Sequence, residues 1–194
     1  RDQTFFVNEG VIPWIGARNF AYWKNQGLDY DISDIKGLTF NARYLDRRFL
    51  NEMSRADWQN AAYKMRSQLT DEILFNAVYD MPNEIADIHG SVILSKLRSR
   101  RDNLPQYADD FYATLSREVD IVGTDKDEYF LVERLNNDST KVTVHTLNKN
   151  EKKKDIYYQR IFNHAETKEI RVYGEKGKDK FKITGNANRG IKVR

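Results

Sequence analysis

The chain has 194 residues, of which 40% are hydrophobic and 31% charged, and it contains no cysteine. This length allows one large domain or two small ones, and the composition is typical of a soluble globular protein rather than a disordered or membrane-spanning one. The lack of cysteine excludes disulfides, thiolate zinc sites and a cysteine nucleophile.

The net charge of +3 hides an asymmetry between the two halves. Residues 1–118 carry 15 basic and 17 acidic side chains, whereas residues 119–194 carry 17 and 12. A basic second half could indicate nucleic-acid binding. Because its cations are interleaved with acids along several predicted strands, we interpret them as a solvated face that discourages edge-to-edge pairing. We therefore expect no nucleic-acid partner.

Residues 1–53 are rich in aromatic side chains and show no regular period. Each large aromatic residue buries about 150–250 Å² and needs a surface to pack on. We expect this irregular segment to pack on the helices that follow or to belong partly to a preceding domain, with residues 5–49 as a contact surface.

Two helices have clear start signals. Ser54 is followed three residues later by Asp57, and Thr70 is followed at once by two acids, as at capped helix N-termini. Apolar residues then recur at helical spacing, and Pro82 ends the second helix.

A third helix is predicted to begin at Ser91. Pro105 either kinks it or lies in the first turn of a new helix, and an apolar face continues to Val119. The helical part is thus predicted to span residues 54–119.

From Asp120 the apolar period changes to two. Six strands are predicted, at residues 129–135, 141–147, 156–162, 169–173, 180–183 and 191–193. We predict an α+β fold in which residues 120–194 form an antiparallel sheet or small sandwich, and the last strand is expected to continue beyond the chain.

Common catalytic motifs are missing from the sequence. His89, His145 and His164 lack the spacing of a zinc site, and neither a Gly-x-Ser-x-Gly string nor a phosphate-binding glycine loop occurs. We expect the histidines to be structural or solvent-exposed.

One cluster could bind phosphate or an acidic headgroup. Arg98, Arg100 and Arg101 lie close together on a predicted helix. The alternative is a helix surface on which they pair with Asp109 and Asp110.

Two aspartates are candidate metal ligands. Asp179 lies in residues 174–182, which partly match the glycine- and aspartate-containing nonapeptide of calcium β-rolls, although an ordinary turn between two strands also explains the glycines. Asp2 could bind Mg²⁺ if other ligands preceded it, and otherwise would cap a helix or form a salt bridge.

Several strings of the sequence resemble one family along nearly the whole chain. They are residues 29–34, 41–50, 97–105, 117–126 and 166–174. These strings are similar to the central region of large Bacteroidetes surface proteins, in which a calcineurin-like metallophosphoesterase domain often comes first and an outer-membrane barrel of the surface-antigen type comes last. In that family the string at residues 1–3 resembles the end of a segment with kinase-like features.

The resemblance implies a periplasmic or outer-membrane-associated location. We expect a non-catalytic structural and interaction module that links a catalytic domain to a membrane barrel, with the flanking domains of the same polypeptide as partners. Two alternatives are a fragment of a metal-dependent phosphotransferase or phosphoesterase, using Asp2 and the three arginines, and a calcium-stabilised β-roll cap. The interaction module requires no cofactor. The phosphotransferase alternative would use Mg²⁺, and the β-roll alternative would use Ca²⁺.

Overall fold

A computed structural model describes residues 27–187 and 190–194, so Asp2 and the first half of the aromatic segment, residues 1–26, lie outside the described residues. The α+β prediction is confirmed, because helices precede the C-terminal strands. The described chain divides into two compact units. The helical unit comprises residues 27–43 and 54–112, and the strand unit comprises residues 44–53 and 113–194.

Six α-helices lie in the described residues. They are α1 (Ile35–Thr39), α2 (Arg43–Phe49), α3 (Arg55–Gln68), α4 (Asp71–Tyr79), α5 (Asn83–Asp102) and α6 (Leu104–Ser116), with a 3₁₀ turn at Phe40–Ala42. None of these helices has the length and apolar character needed to cross a membrane.

The predicted start signals of α3 and α4 are confirmed. Ser54 and Asp57 form a reciprocal capping box, and the Thr70 side chain accepts a hydrogen bond from the Ile73 N–H. Pro105 lies in the first turn of α6, which was one of the two predicted alternatives. Since Pro lacks an N–H donor, the first turn is where a helix tolerates it best.

The predicted start of the third helix was wrong. α5 begins at Asn83, not at Ser91, and runs for 20 residues. The Pro82 carbonyl accepts hydrogen bonds from Ile85 and Ala86 at 2.9 and 3.0 Å, so this proline precedes one helix as well as following another.

The helical unit has a small core between α4 and α5. Leu74, Val78 and Leu94 are buried there. The Tyr79 ring lies over Gly90, where an added Cβ would be 3.3 Å from the ring. A glycine inside α5 therefore allows the two helices to approach closely.

Seven strands follow. They are β1 (Glu118–Val122), β2 (Glu128–Arg134), β3 (Ser139–Leu147), β4 (Lys153–Asn163), β5 (Glu169–Tyr173), β6 (Lys180–Thr184) and β7 (Lys192–Val193). They form a three-stranded sheet in the order β1-β5-β7 and a four-stranded sheet in the order β4-β3-β2-β6.

The antiparallel prediction holds for only part of these sheets. The β2–β3 and β3–β4 pairs are antiparallel, whereas β1–β5, β5–β7 and β2–β6 are parallel. β1 was not predicted as a strand, because Val119 also continued the helical apolar pattern. Period-two alternation identifies a strand and its buried face but not its partner or direction.

The core of the strand unit lies between the two sheets. Its buried members come from both: Val119, Ile121 and Ile170 from the first sheet, and Phe130, Val132, Val142, Val144, Tyr158 and Phe162 from the second, with Ile191 beside β7. The strand unit is thus a small two-layer sandwich, in which alternate residues of each strand face inward.

Candidate functional site

Two of the phosphate-binding candidates on α5 are bonded to α4. Arg98 Nη2 lies 3.1 Å from Asp71 Oδ2, and Arg101 Nη1 donates to Asp71 Oδ1. Hydrogen bonding to Arg101 lowers the pKa of Asp71. The predicted alternative, helix-surface ion pairing, therefore describes these two arginines, with an acid of α4 rather than of α6 as the partner.

The third candidate, Arg100, holds a different part of the chain. It donates to the carbonyl oxygens of Gly27 at 2.9 Å and Asp29 at 2.7 Å. Lys96 donates to the intervening carbonyl of Leu28 at 2.9 Å. The three arginines thus serve two separate internal contacts instead of converging on one anion.

No metal centre is formed by the described part of the chain. Within residues 27–187 and 190–194, no three His, Asp or Glu side chains are grouped so that they could hold a metal ion. The metal role of Asp2 concerns a residue outside these ranges and stays a prediction.

Two turns are joined at one end of the strand unit. Residues 123–127 connect β1 to β2 and residues 174–179 connect β5 to β6; we call them the paired turns. Gly177 has a φ of +111°, and a Cβ there would overlap the carbonyl of Lys126. This glycine of the calcium-like pattern is therefore needed for the close approach of the two turns.

The paired turns exchange hydrogen bonds through their acids. Asp179 Oδ1 accepts from the Glu128 N–H at 2.9 Å, and Asp127 Oδ1 accepts from the Lys178 N–H at 2.8 Å. Asp179, the predicted calcium ligand, thus has a structural role in this chain; its binding of calcium stays a prediction.

A fully buried carboxylate lies beneath the paired turns. Glu128 is 0% exposed, and both of its carboxylate oxygens lie 3.0 Å from the Thr124 N–H donor. The Thr124 hydroxyl donates to Oε1 at 2.6 Å. A Cβ on Gly123 would overlap Oε2, so the glycine provides the space that the carboxylate occupies. The acid therefore fixes the first turn from inside.

The pH dependence of stability should reveal the environment of Asp179. Burial raises its pKa, and the charges of Glu128 and Asp127 add to this, although the hydrogen bond from the Glu128 N–H lowers it. The native state therefore binds the Asp179 proton more tightly than the unfolded state does. The resulting contribution to the free energy of unfolding is fully present below the unfolded pKa of about 3.9 and is lost as the pH rises through the raised native pKa.

We expect Asp179→Asn to have the same free energy of unfolding as the wild type near about pH 3 and a higher one at neutral pH. Asparagine still offers an oxygen to the Glu128 N–H but carries no charge. Urea unfolding across this pH range measures the difference. A variant that is less stable than the wild type at neutral pH would contradict the expectation.

One edge of the sandwich is closed. The Tyr157 hydroxyl of β4 donates to the Val122 carbonyl of β1. Asn51 Nδ2 donates to the Asp120 carbonyl at 2.5 Å, while the Asn51 carbonyl accepts from the Arg160 side chain. The segment between α2 and α3 thus bonds to both β1 and β4 and covers this edge.

The opposite edge is exposed in the part of the chain that the structure describes. Between β6 and β7 lies a groove of about 300 Å³, which we call the β6 groove; it is lined mainly by Phe130, Val132, Val172, Phe181, Ile183 and Val193. The registers of β6 and β2 place Phe181 beside Phe130 and Ile183 beside Val132, on the inward face. Nevertheless Phe181 is 57% and Ile183 55% exposed. Two core-facing side chains therefore remain uncovered.

Two cations, Lys182 and Arg194, line the β6 groove, and two more lie on the strands beside it. Lys180 and Lys182 alternate with the apolar residues of β6, while Lys192 and Arg194 lie on and beside β7. Lys180 pairs with Glu151, and Arg194 Nε lies 3.6 Å from Glu169. The groove is therefore apolar inside and basic along its rim.

The helical unit also exposes apolar surface. Large side chains on α4 and α5 are between 40% and 69% exposed: Ile73, Phe75, Tyr79, Ile85, Ile88 and Val92. Phe75 and Tyr79 stack at a centroid distance of 4.4 Å. We call the part of this surface on α5, formed by Ile85, Ile88 and Val92, the α5 stripe.

Sequence reasoning missed both Glu128 and the β6 groove. The four-residue spacing of Thr124 and Glu128 across a turn that begins with glycine was the available signal for the buried carboxylate. The alternation of lysine with Phe181 and Ile183 predicted the inward face of β6, but it could not show that this face lacks a cover.

Comparisons with known proteins found no relationship for this chain. No protein-family model matches it, and the searches of curated proteins and of solved structures returned no significant match.

Proposed function

We propose that this chain is a non-catalytic interaction module that binds neighbouring protein segments through apolar surfaces. The observation that supports this most is the exposure of large apolar side chains in both units, at the α5 stripe and in the β6 groove. Large contiguous apolar patches are rare on the surfaces of monomeric soluble proteins, and where they occur they commonly mark interaction sites.

The contacts of the α5 arginines favour an interaction module over a phosphotransferase. A phosphotransferase directs its cations toward the phosphate and holds a metal beside it. Here Arg98 and Arg101 bind Asp71, and Arg100 binds two backbone carbonyls. These cations would have to leave internal partners before they could bind a phosphate.

The family resemblance of the sequence supplies the proposed setting. It favours a periplasmic module within a larger outer-membrane-associated polypeptide, between a catalytic domain and a membrane barrel. The partners would then be the flanking domains. Two aromatic residues of the predicted contact segment would be accessible to them, since Tyr44 is 65% and Phe49 70% exposed.

Fractionation of native cells tests this proposal. With an antibody against the chain, we expect a band far above 22.9 kDa in the outer-membrane fraction. A band near 22.9 kDa in a soluble fraction would contradict the proposed setting and the proposed partners.

A further inference from the structure

We propose that the β6 groove binds an extended acidic strand, which pairs with the free edge of β6 and inserts apolar side chains between the two sheets. This inference rests on the proposed interaction function and names the partner segment by its chemistry. It is carried by three properties of the groove: its uncovered core-facing side chains, its backbone edge and its charge.

The first property is a contrast between the two edge strands of the four-stranded sheet. On β4, the inward-facing Tyr158 and Phe162 are only 5% and 1% exposed, because that edge is closed. On β6, the inward-facing Phe181 and Ile183 are 57% and 55% exposed. The inward face of the four-stranded sheet is therefore buried at its β4 edge and exposed at its β6 edge.

The second property is the backbone of β6. This strand lies at the end of the order β4-β3-β2-β6, and no strand of the described residues pairs with its outer side. A five-residue edge offers a ladder of N–H and C=O groups that an added strand can use. Such pairing fixes the direction of the added side chains, since alternate residues point to opposite faces.

The third property is charge. An added strand would place one set of side chains beside Phe181 and Ile183 and the other set beside Lys180 and Lys182. Opposite charges on directly adjacent strands stabilise a pair, whereas like charges destabilise it. The complementary strand therefore alternates apolar residues with glutamate or aspartate.

The same charge argument disfavours a second copy of this chain as the occupant. Two β6 strands placed side by side would bring Lys180 and Lys182 of one copy next to those of the other. An acidic strand has no such conflict, and Arg194, which lines the groove, adds a further cation of the favourable sign.

The experiment uses the whole chain and a dye-labelled peptide of alternating valine and glutamate. Fluorescence anisotropy measures its Kd and that of a control peptide in which lysine replaces every glutamate. We expect only the acidic peptide to bind, and we expect its Kd to rise with salt because exposed charges are screened.

Matched variants locate the site. Ile183→Asp should weaken binding of the acidic peptide by about tenfold or more, whereas Ile161→Asp, at a β4 residue that is 59% exposed, should leave the Kd unchanged. Lys182→Glu should weaken the acidic peptide and allow the lysine peptide to bind. Thermal unfolding establishes that each variant is folded, and Lys182→Glu, which keeps both Phe181 and Ile183, keeps the test decisive if Ile183→Asp does not fold.

Hydrogen exchange identifies the mode of binding. The acidic peptide should protect backbone amides of residues 180–184 and leave those of residues 153–157 unchanged. Equal binding of the two peptides, no binding, or equal losses from Ile183→Asp and Ile161→Asp would overturn the proposal. Self-association that Ile183→Asp abolishes would assign the groove to a second copy and would overturn it as well.

Failure of this inference is distinguishable from failure of the proposed function. If the native protein fractionates as a large outer-membrane polypeptide but the acidic peptide does not bind, only the inference about the groove fails. If the peptide binds but the native protein is a soluble band near 22.9 kDa, the groove stands and the proposed setting fails.

Discussion

Replacing Glu128 with alanine is expected to lower the free energy of unfolding of the strand unit by about 3 kcal/mol. The substitution removes the acceptor of the Thr124 N–H and hydroxyl and leaves a cavity beneath the paired turns. Thr124 itself is exposed, so water can replace part of the lost acceptor, and the expected loss comes mainly from the cavity that a fully buried side chain leaves. This cost exceeds the gain from removing a desolvated charge that was already well bonded.

Two further variants serve as controls for Glu128→Ala. Glu128→Gln retains the size and one oxygen acceptor, so we expect a smaller loss, of about 1 kcal/mol. Glu133→Ala, at the other end of β2, should change the free energy of unfolding by no more than about 0.5 kcal/mol. Urea unfolding of the three variants at neutral pH measures these values. Equal losses from Glu128→Ala and Glu133→Ala would contradict a structural role for the buried carboxylate.

A double substitution connects this result to Asp179. The Glu128 charge is one of the causes that raise the Asp179 pKa. The stability that Asp179→Asn gains at neutral pH should therefore be smaller in a Glu128→Gln background. A gain of the same size in both backgrounds would mean that burial and the Asp127 charge raise the pKa of Asp179 without a contribution from Glu128.

Replacing Arg171 with methionine is expected to lower the free energy of unfolding by about 2–3 kcal/mol at neutral pH. On the outer face of the three-stranded sheet, Arg171 bonds Glu118 at 2.6 Å, Glu169 at 2.9 Å and Asp120 at 3.3 Å. Methionine preserves most of the aliphatic stem but leaves three neighbouring carboxylates without their shared cation.

The loss caused by Arg171→Met should depend on pH. Hydrogen bonding to Arg171 lowers the pKa of Glu169, so the stability from this contact is present above the unfolded pKa of about 4.3 and is lost as pH falls through the lowered native value. The difference between wild type and variant should therefore shrink as the acids protonate. Denaturant unfolding at neutral and at strongly acidic pH measures it, with Lys141→Met as a control. An identical difference at both pH values would assign the effect to packing of the side-chain stem.

Local signals allowed the starts of α3 and α4 and most strands to be predicted from sequence. The capping box of Ser54 and Asp57 lies within four residues, and the period-two alternation of β2, β3 and β5 lies within single strands. The start of α5 was missed because Pro82 is a helix terminator by propensity, while its carbonyl is also free to accept the first hydrogen bonds of the next helix.

Features that depend on distant residues were not predicted. Parallel pairing of β1 with β5 joins residues about fifty positions apart, and no period within either strand specifies it. Asp179 was identified as a noteworthy acid, yet its partner, the Glu128 N–H, lies 51 residues away. The arginines of α5 were likewise recognised as a cluster, but only the folded helices show that Asp71 and the carbonyls near residue 28 are their partners.

The closed edge of the sandwich has a consequence for the order of folding during synthesis. Asn51 is made before α3–α6, but its carbonyl accepts a hydrogen bond from Arg160, 109 residues later. At about 5–20 residues per second, roughly 5–20 s separate the synthesis of these two residues. The partners of the α4–α5 hairpin, including the carbonyls of residues 27–29, are all made before β4, so the hairpin can form in that interval, whereas closure of the β1–β4 edge must wait. A ribosome-bound chain stalled before β4 is complete should therefore show protected amides in α5 and unprotected amides in β1.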